Sequence, residues 1–289
     1  MIIDTGLVHR LIDAQFPEWA DLPVIPVEPH GRDNHTFRLG DRMSVRLPSA
    51  EAYVAQVEKE HRWLPLLQPG LPLPIPEPLA RGAPGPGYPW PWSVYRWLDG
   101  RPAADERITD PIEFARSLAD FLVSLHRIDA TGGPAPGQHN FKRGGPLAVY
   151  DSETRAALSA LQGRVDIVAA EKVWTAALGS QWLRPAVWVH GDIASDNLLV
   201  KKGKLCAVID FGCLAVGDPA CDLVIAWTDF SNRSRETFRA ALPLDDNAWA
   251  RARGWALWKA LITAANQDND QRAVQRSRRV IAEVVADHQ

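Results

Sequence analysis

At 289 residues, with 46% hydrophobic and 23% charged side chains, the chain has enough apolar material for one large domain or two lobes, which argues against disorder. A formal net charge of −3 excludes the strongly basic balance of a nucleic-acid binder. The three cysteines, Cys206, Cys213 and Cys221, are odd in number and form no Cys-x-x-Cys; this argues against a disulfide framework or zinc site and for small buried apolar residues in a reducing compartment.

Met1 to Phe16 has no basic start or continuous apolar run, so it does not read as a signal peptide. Instead Leu7, Val8, Leu11 and Ile12 recur at helical spacing behind Asp4 and Thr5, which can cap, and predict a short helix ending near Pro17. Val24 to Val27, Thr36 to Leu39 and Ser44 to Leu47 predict short strands separated by turns at Gly31 and Gly40-Asp41. A helix is expected from Ser49 to Leu67, with Val54, Val57, Glu60, Trp63, Leu64 and Leu67 on its inner face.

Ten of the 23 prolines fall between Pro65 and Pro91, where no helix can persist. Because Ile75, Leu79, Trp90 and Trp92 make that stretch too apolar for a linker, it predicts short edge strands and rigid turns wrapped on a sheet. Ser93 to Leu98 predicts the strand that crosses between two lobes.

Beyond Pro102 the pattern turns helical: Ile112 to His126, then a Gly/Pro-rich loop from Thr131 to Pro146, then Leu158 to Leu178. Lys202-Gly203 turns a hairpin, Asp218-Pro219 opens a helix with Asp as cap and Pro in the first position, and about three helical pieces run on to Gln289. Trp255 to Ala265 contains Lys259 and is too short to span a bilayer, so a soluble, cytoplasmic protein is expected. Strands followed by helices, rather than alternating with them, predict an α+β chain with two segregated lobes, 1–98 and 99–289.

The chemistry concentrates between Val189 and Gly212. His190-Gly191-Asp192 is followed by Asn197, five positions past the Asp, and by Asp210-Phe211-Gly212, eighteen past it, each polar group flanked by apolar runs. This is the layout of a kinase catalytic loop and metal-binding loop. These residues, with Gly217-Asp218-Pro219-Ala220-Cys221-Asp222-Leu223, resemble the aminoglycoside phosphotransferase family, the bacterial antibiotic kinases of protein-kinase-like fold. Weaker likeness extends through Asn34 to Leu39, Val45 to Pro48 and Gly144-Gly145-Pro146-Leu147, and so over nearly the whole chain.

The resemblance implies ATP and magnesium as cofactors and a bilobal fold with a small antiparallel-sheet N-lobe and a helical C-lobe. It implies that Asp192 accepts or orients the attacking hydroxyl, that Asn197 and Asp210 hold magnesium, and that His190 and Asp222 support the loop. Where the family carries a strand lysine for the α- and β-phosphates, this chain offers Arg46, which keeps the charge with a forked geometry; the alternative is a solvated strand residue. Glu60 is the expected partner of Arg46, with Glu58 as the alternative. There is no Gly-x-Gly-x-x-Gly, and Gly31 to Thr36 is expected to form the phosphate-facing turn. Adenine is expected to bind through backbone groups near Tyr95 to Trp97, whose side chains read as core rather than as stacking partners.

Only Cys213 to Val216 separate Asp-Phe-Gly from Gly-Asp-Pro, so there is no room for an activation segment and no Ala-Pro-Glu. The expected acceptor is therefore a small hydroxyl compound rather than a protein, an aminoglycoside or similar antibiotic, or a metabolite such as choline, homoserine, a sugar or methylthioribose. A pseudokinase-like nucleotide-binding module is the reading that Arg46 alone favours. Carboxylates for a polycation are available at Asp229, Glu236, Asp245, Asp246, Asp268 and Asp270; Trp227, Trp255 and Trp258 offer an apolar wall or core, and Arg143 a phosphate contact, an acceptor cap or plain surface.

Overall fold

The structure, a computed structural model, describes residues 2–28, 31, 33–266, 268 and 270–288. Helix α1 (Thr5–Gln15) starts where Asp4 accepts the Leu7 N–H, and buries Leu7, Val8, Leu11 and Ile12. It covers one face of a five-stranded antiparallel sheet made of β1 (Val24–Pro26), β2 (Asn34–Leu39), β3 (Met43–Pro48), β4 (Pro78–Gly82) and β5 (Trp92–Arg96), in the order β1-β2-β3-β5-β4. Alternation along the pleat sends Val45 and Leu47 into the cluster with α1, so Arg46 between them faces the other way.

That other face meets α2 (Val54–Leu67), which a 3-10 turn over Glu51–Tyr53 precedes; the helix starts later than the Ser49 expected from sequence. Pro65 lies inside its last turns, and Trp63, Leu64 and Leu67 reach the larger, helical core. The proline-dense stretch supplies β4 as an edge strand with a register shift between Pro78 and Ala80. Strand β5 stops at Arg96, short of Leu98, although Trp97 N–H still pairs with the Arg42 carbonyl at 2.7 Å, one rung further along the β3 ladder.

The helical region contains α3 (Pro111–Arg127), α4 (Asp151–Ala160) and α5 (Ile167–Leu178). The single helix expected over Leu158 to Leu178 is therefore broken: Gly163 takes a φ of 74°, and Asp166 caps a new helix by accepting Ala169 N–H. Strand β6 (Arg101–Pro102) pairs with β8 (Leu198–Lys201), and β8 with β9 (Lys204–Val208) through Lys202 and Gly203, both at positive φ as a tight hairpin requires. Strands β7 (Val187–Val189) and β10 (Ala215–Gly217) pair separately.

From Asp218 onward the chain forms a 3-10 turn over Pro219–Leu223 and then, among the described residues, four helices: α6 (Ile225–Thr228), α7 (Asn232–Ala241), α8 (Asp246–Ala265) and α9 (Gln271–His288). The expected helix start at Asp218-Pro219 is thus a tighter turn, and the expected three pieces are more numerous. All three cysteines are free, with Cys213 and Cys221 buried. Among the described residues no helix is long and apolar enough to cross a membrane.

Candidate active site

The loop before β8 is built on hydrogen bonds to its own backbone. His190 accepts the Asp192 N–H on Nδ1 at 3.2 Å and donates from Nε2 to the Ile209 carbonyl at 3.0 Å, a pairing that assigns the proton to Nε2. The ring thus links the loop to the residue before Asp210. Asp222, fully buried, accepts His190 N–H at 2.8 Å and Gly191 N–H at 2.7 Å on its two oxygens. Burial drives its carboxyl above the ordinary range, against the pull of His190 and these two N–H groups.

Asn197 Nδ2 donates to the Asp192 carbonyl at 2.9 Å and to Asp192 Oδ2 at 3.1 Å. Its amide oxygen is the atom left for a cation. Ile209 N–H donates to the Asn197 carbonyl at 2.9 Å, which fixes Asp210 opposite this pair. Asp210 itself sits at a φ of 65°, a left-handed conformation uncommon outside glycine and held here by its surroundings. Its side chain keeps 34% of its surface open.

Arg46 joins the sheet to this loop. Nη2 donates to Asp210 Oδ1 at 3.1 Å, and Nη1 stands 3.6 Å from Glu60 Oε1. Tyr95 Oη donates to the other Glu60 oxygen, and the Arg46 guanidinium lies 5.8 Å from the Tyr95 ring centre. Burial opposes the charge on Arg46, but Glu60 and Asp210 outweigh it and raise its pKa. Burial likewise works against ionised Asp210, and Arg46, by charge and hydrogen bond, holds its carboxyl below the usual range. Glu60 is pushed up, chiefly by burial. Of the two glutamates considered for Arg46, Glu60 is the paired one, while Glu58 is exposed.

Sequence reasoning missed a second set of residues on α2. Lys59 Nζ donates to the Gly212 carbonyl at 2.6 Å and to His139 Nδ1 at 3.1 Å. Gln56 Nε2 donates to Asp33 Oδ2 at 3.0 Å. Burial raises the Asp33 carboxyl, with Asp210 and Asp192 adding to it against the Gln56 hydrogen bond. The available signal was Gln56, Lys59, Glu60 and Trp63 at three-four spacing, a polar seam inside an otherwise apolar helix face. Part of the expected phosphate-facing turn, Arg32, lies outside the described residues.

The exit from the Asp210-Phe211-Gly212 turn is tight. Gly191 has a φ of 84°, and a Cβ there would meet the Cys213 carbonyl oxygen at 2.5 Å. A Cβ on Gly217 would meet the Gly144 carbonyl oxygen at 2.2 Å, which explains the glycines in both segments. Asp218 accepts Ala220 N–H at 3.1 Å and forms a buried pair with Arg251, whose Nε lies 2.5 Å from Oδ2.

The remaining candidates sit apart. Tyr95 is core, its hydroxyl spent on Glu60. Trp97 is half-buried, stacked on by Arg38 at 4.9 Å. Trp227 is only 2% exposed and packs edge-on to Trp249, and Trp255 and Trp258 are buried too, so none of the three forms an open wall. Arg143 lies over Trp258 and Trp255, at 4.9 and 5.1 Å, beside Gly191. Asp229 is exposed and accepts from Thr228 Oγ1 at 2.6 Å. Asp245 and Asp270 cap α8 and α9, and Asp246 pairs with Arg239.

A strand arginine tied at once to a helix glutamate and to the aspartate of Asp-Phe-Gly is an arrangement of the protein-kinase-like fold, and this α+β chain is a phosphotransferase of that class. It belongs to the phosphotransferase enzyme family, whose model matches residues 25–255. The GDP complex of an aminoglycoside 2'-phosphotransferase-IIIa superposes with a TM-score of 0.71 at 19% identity, over 99% of this chain and 100% of that one. A macrolide 2'-phosphotransferase of type I gives 0.61 at 19% identity, over 96% and 97%. The apoenzyme of a macrolide 2'-phosphotransferase from Brachybacterium faecium gives 0.58 at 20% identity, over 94% and 97%. No curated protein matches the chain.

Proposed function

We propose that the protein moves the γ-phosphoryl group of ATP to a hydroxyl of a small molecule, an aminoglycoside or similar antibiotic, in the cytoplasm and with magnesium. The observation that carries this reading is the convergence of Asp192, Asn197 and Asp210, with Asn197 Nδ2 3.1 Å from Asp192 Oδ2 and Asp210 tied to Arg46. Asp192 is exposed and accepts, so it can orient a hydroxyl and take its proton. Among the described residues, no three His, Cys, Asp or Glu side chains group closely enough to hold an ion unaided. That suits magnesium, which is commonly held by one or two carboxylates together with substrate phosphates and water. The Asn197 amide oxygen and the Asp210 carboxylate would hold it; when bound, the cation neutralises charge on the transferring phosphoryl group.

Arg46 remains able to offer further N–H donors to phosphate beyond those given to Glu60 and Asp210. This disfavours a pseudokinase, since the arginine keeps both contacts. His190 and Asp222 hold the loop, Tyr95 and Trp97 flank the nucleotide side, and the lobes divide near residues 98 and 99. For the acceptor, burial raises the Asp196 carboxyl, and Asp105 and Asp229, with Asp192 least, add to it against Arg276. Such a negative rim favours a cationic acceptor over a neutral metabolite. Arg143, half-buried, and Asp229, open to solvent, are proposed near it, while Trp227 is core and does not reach it.

Magnesium-dependent ADP release against a panel of aminoglycosides, macrolides and metabolic alcohols tests the proposal. Aminoglycoside-dependent turnover that vanishes in Asp192→Ala is expected. Turnover with metabolic alcohols only would move the acceptor to the metabolite class.

A further inference from the structure

The metal loop leaves the site in four residues, and the segment that secures such a loop in protein kinases is missing. Its carbonyls are held from elsewhere. The Gly212 carbonyl receives Lys59 Nζ at 2.6 Å, and the Cys213 carbonyl receives Asn140 Nδ2 at 3.3 Å. Asn140 is fully buried and also binds Gly137 N–H and the Arg143 carbonyl, so it locks the loop over 131–146 at the same point. Lys59 reaches that loop too, through His139 Nδ1 at 3.1 Å; His139 donates from Nε2 to the Ala135 carbonyl at 3.0 Å, which leaves Nδ1 as acceptor.

Lys59 is 8% exposed, an unusual place for an amine. Burial costs the ammonium hydration, and Glu60 and Asp210 offset part of that cost. Gln56, one turn earlier, packs its amide against Gly212, where a Cβ would come within 2.8 Å. Helix α2 therefore grips the metal loop on both sides, through Glu60 and Arg46 at Asp210 and directly through Lys59 at Gly212.

We propose that Lys59 is a positioning residue of the phosphotransfer site, one that ties α2, the Asp-Phe-Gly turn and the loop over 131–146 together in place of an activation segment, and so sets the orientation of Asp210. The inference rests on the phosphotransferase reading above.

The test is Mn²⁺ binding, followed by electron paramagnetic resonance, in the presence of a non-hydrolysable ATP analogue, for wild type and Lys59→Met. Loss of an orienting contact around a metal ligand predicts about a tenfold weaker Mn²⁺ affinity in the variant. Affinity for the analogue without metal should stay unchanged, and kcat should fall with little change in the acceptor KM. Lys59→Arg, which keeps a charged donor, should recover part of the loss. A folded Lys59→Met with wild-type Mn²⁺ affinity overturns the inference while leaving the phosphotransferase reading intact. Wild-type protein that binds no Mn²⁺ with the analogue overturns both. If Lys59→Met does not fold, His139→Ala, at a half-buried side chain, carries the test: several-fold weaker Mn²⁺ binding supports the inference, and wild-type binding overturns it.

Discussion

Arg46 on β3 donates to Asp210 across 3.1 Å and 164 positions of sequence, and the same guanidinium stands 3.6 Å from Glu60 on α2. One positive side chain is thus shared between two carboxylates from two different elements. Arg46→Met leaves Glu60 buried without a counter-charge, and such an orphan costs about 3–5 kcal/mol. Adding Glu60→Gln should return part of that loss, because an amide needs no counter-charge. Urea unfolding of the three proteins checks it; equal stability of single and double variants would contradict this account.

Gly191→Ala is expected to abolish turnover while leaving much of the fold. A left-handed φ costs a residue with a side chain about 1–2 kcal/mol, and at Gly191 the new Cβ would also stand 2.5 Å from the Cys213 carbonyl oxygen. The backbone must shift where Asp222 holds it, and Asp192 is the next residue. Calorimetry and turnover, measured on the same preparation, should show a lowered Tm and a much larger loss of rate.

The loop from His190 to Gly212 was legible in the sequence because its polar groups sit at fixed intervals in apolar runs. Arg46–Glu60 was legible because a charge on an apolar helix face demands a partner. Lys59, Gln56 and Asp33 were not: their partners are backbone carbonyls or side chains tens of residues away, and a carbonyl acceptor leaves no trace in residue identity. The break at Gly163 was not read, although the buried faces on either side do not run in phase: Ala157 and Leu158 before it and Ala170, Val173, Trp174 and Ala177 after it would lie on opposite sides of one continuous helix. Trp227, Trp255 and Trp258 at helical spacing read as core more readily than as an open wall, and packing makes them core.

Lys59 gives the protein a distinctive alkaline behaviour. Burial lowers its amine from 10.5 to about 8 in the folded state, against the pull of Cys213, Glu60 and Asp210. Between those values the unfolded chain binds more protons at this site, so the contribution of Lys59 to stability rises with pH across that window. Below it, the buried ammonium is carried at a cost. At about 1.4 kcal/mol per pH unit, wild-type stability should gain on Lys59→Met by a few kcal/mol between neutral pH and pH ~10. Subtracting the two urea-unfolding profiles removes the titrations both proteins share. A difference that stays flat with pH would mean that the amine keeps its ordinary affinity for protons.

On the proposed function, Asp222 would act one step back from the reacting atoms. Its two oxygens each accept one backbone N–H, from His190 and from Gly191, in a site with no access to water. Asn at this position keeps the volume but offers one acceptor oxygen, and its NH₂ group then faces a backbone N–H. A buried donor left unpaired costs about 1–3 kcal/mol, which Asp222→Asn should lose in urea unfolding, offset in part because an amide escapes the desolvation that drives this carboxyl upward. Turnover should fall further than stability, since the released N–H groups flank the backbone that aims Asp192. Asp222→Asn should therefore lower kcat by tenfold or so with little change in nucleotide affinity. Equal losses in kcat and in nucleotide binding would instead place Asp222 in the general support of the fold.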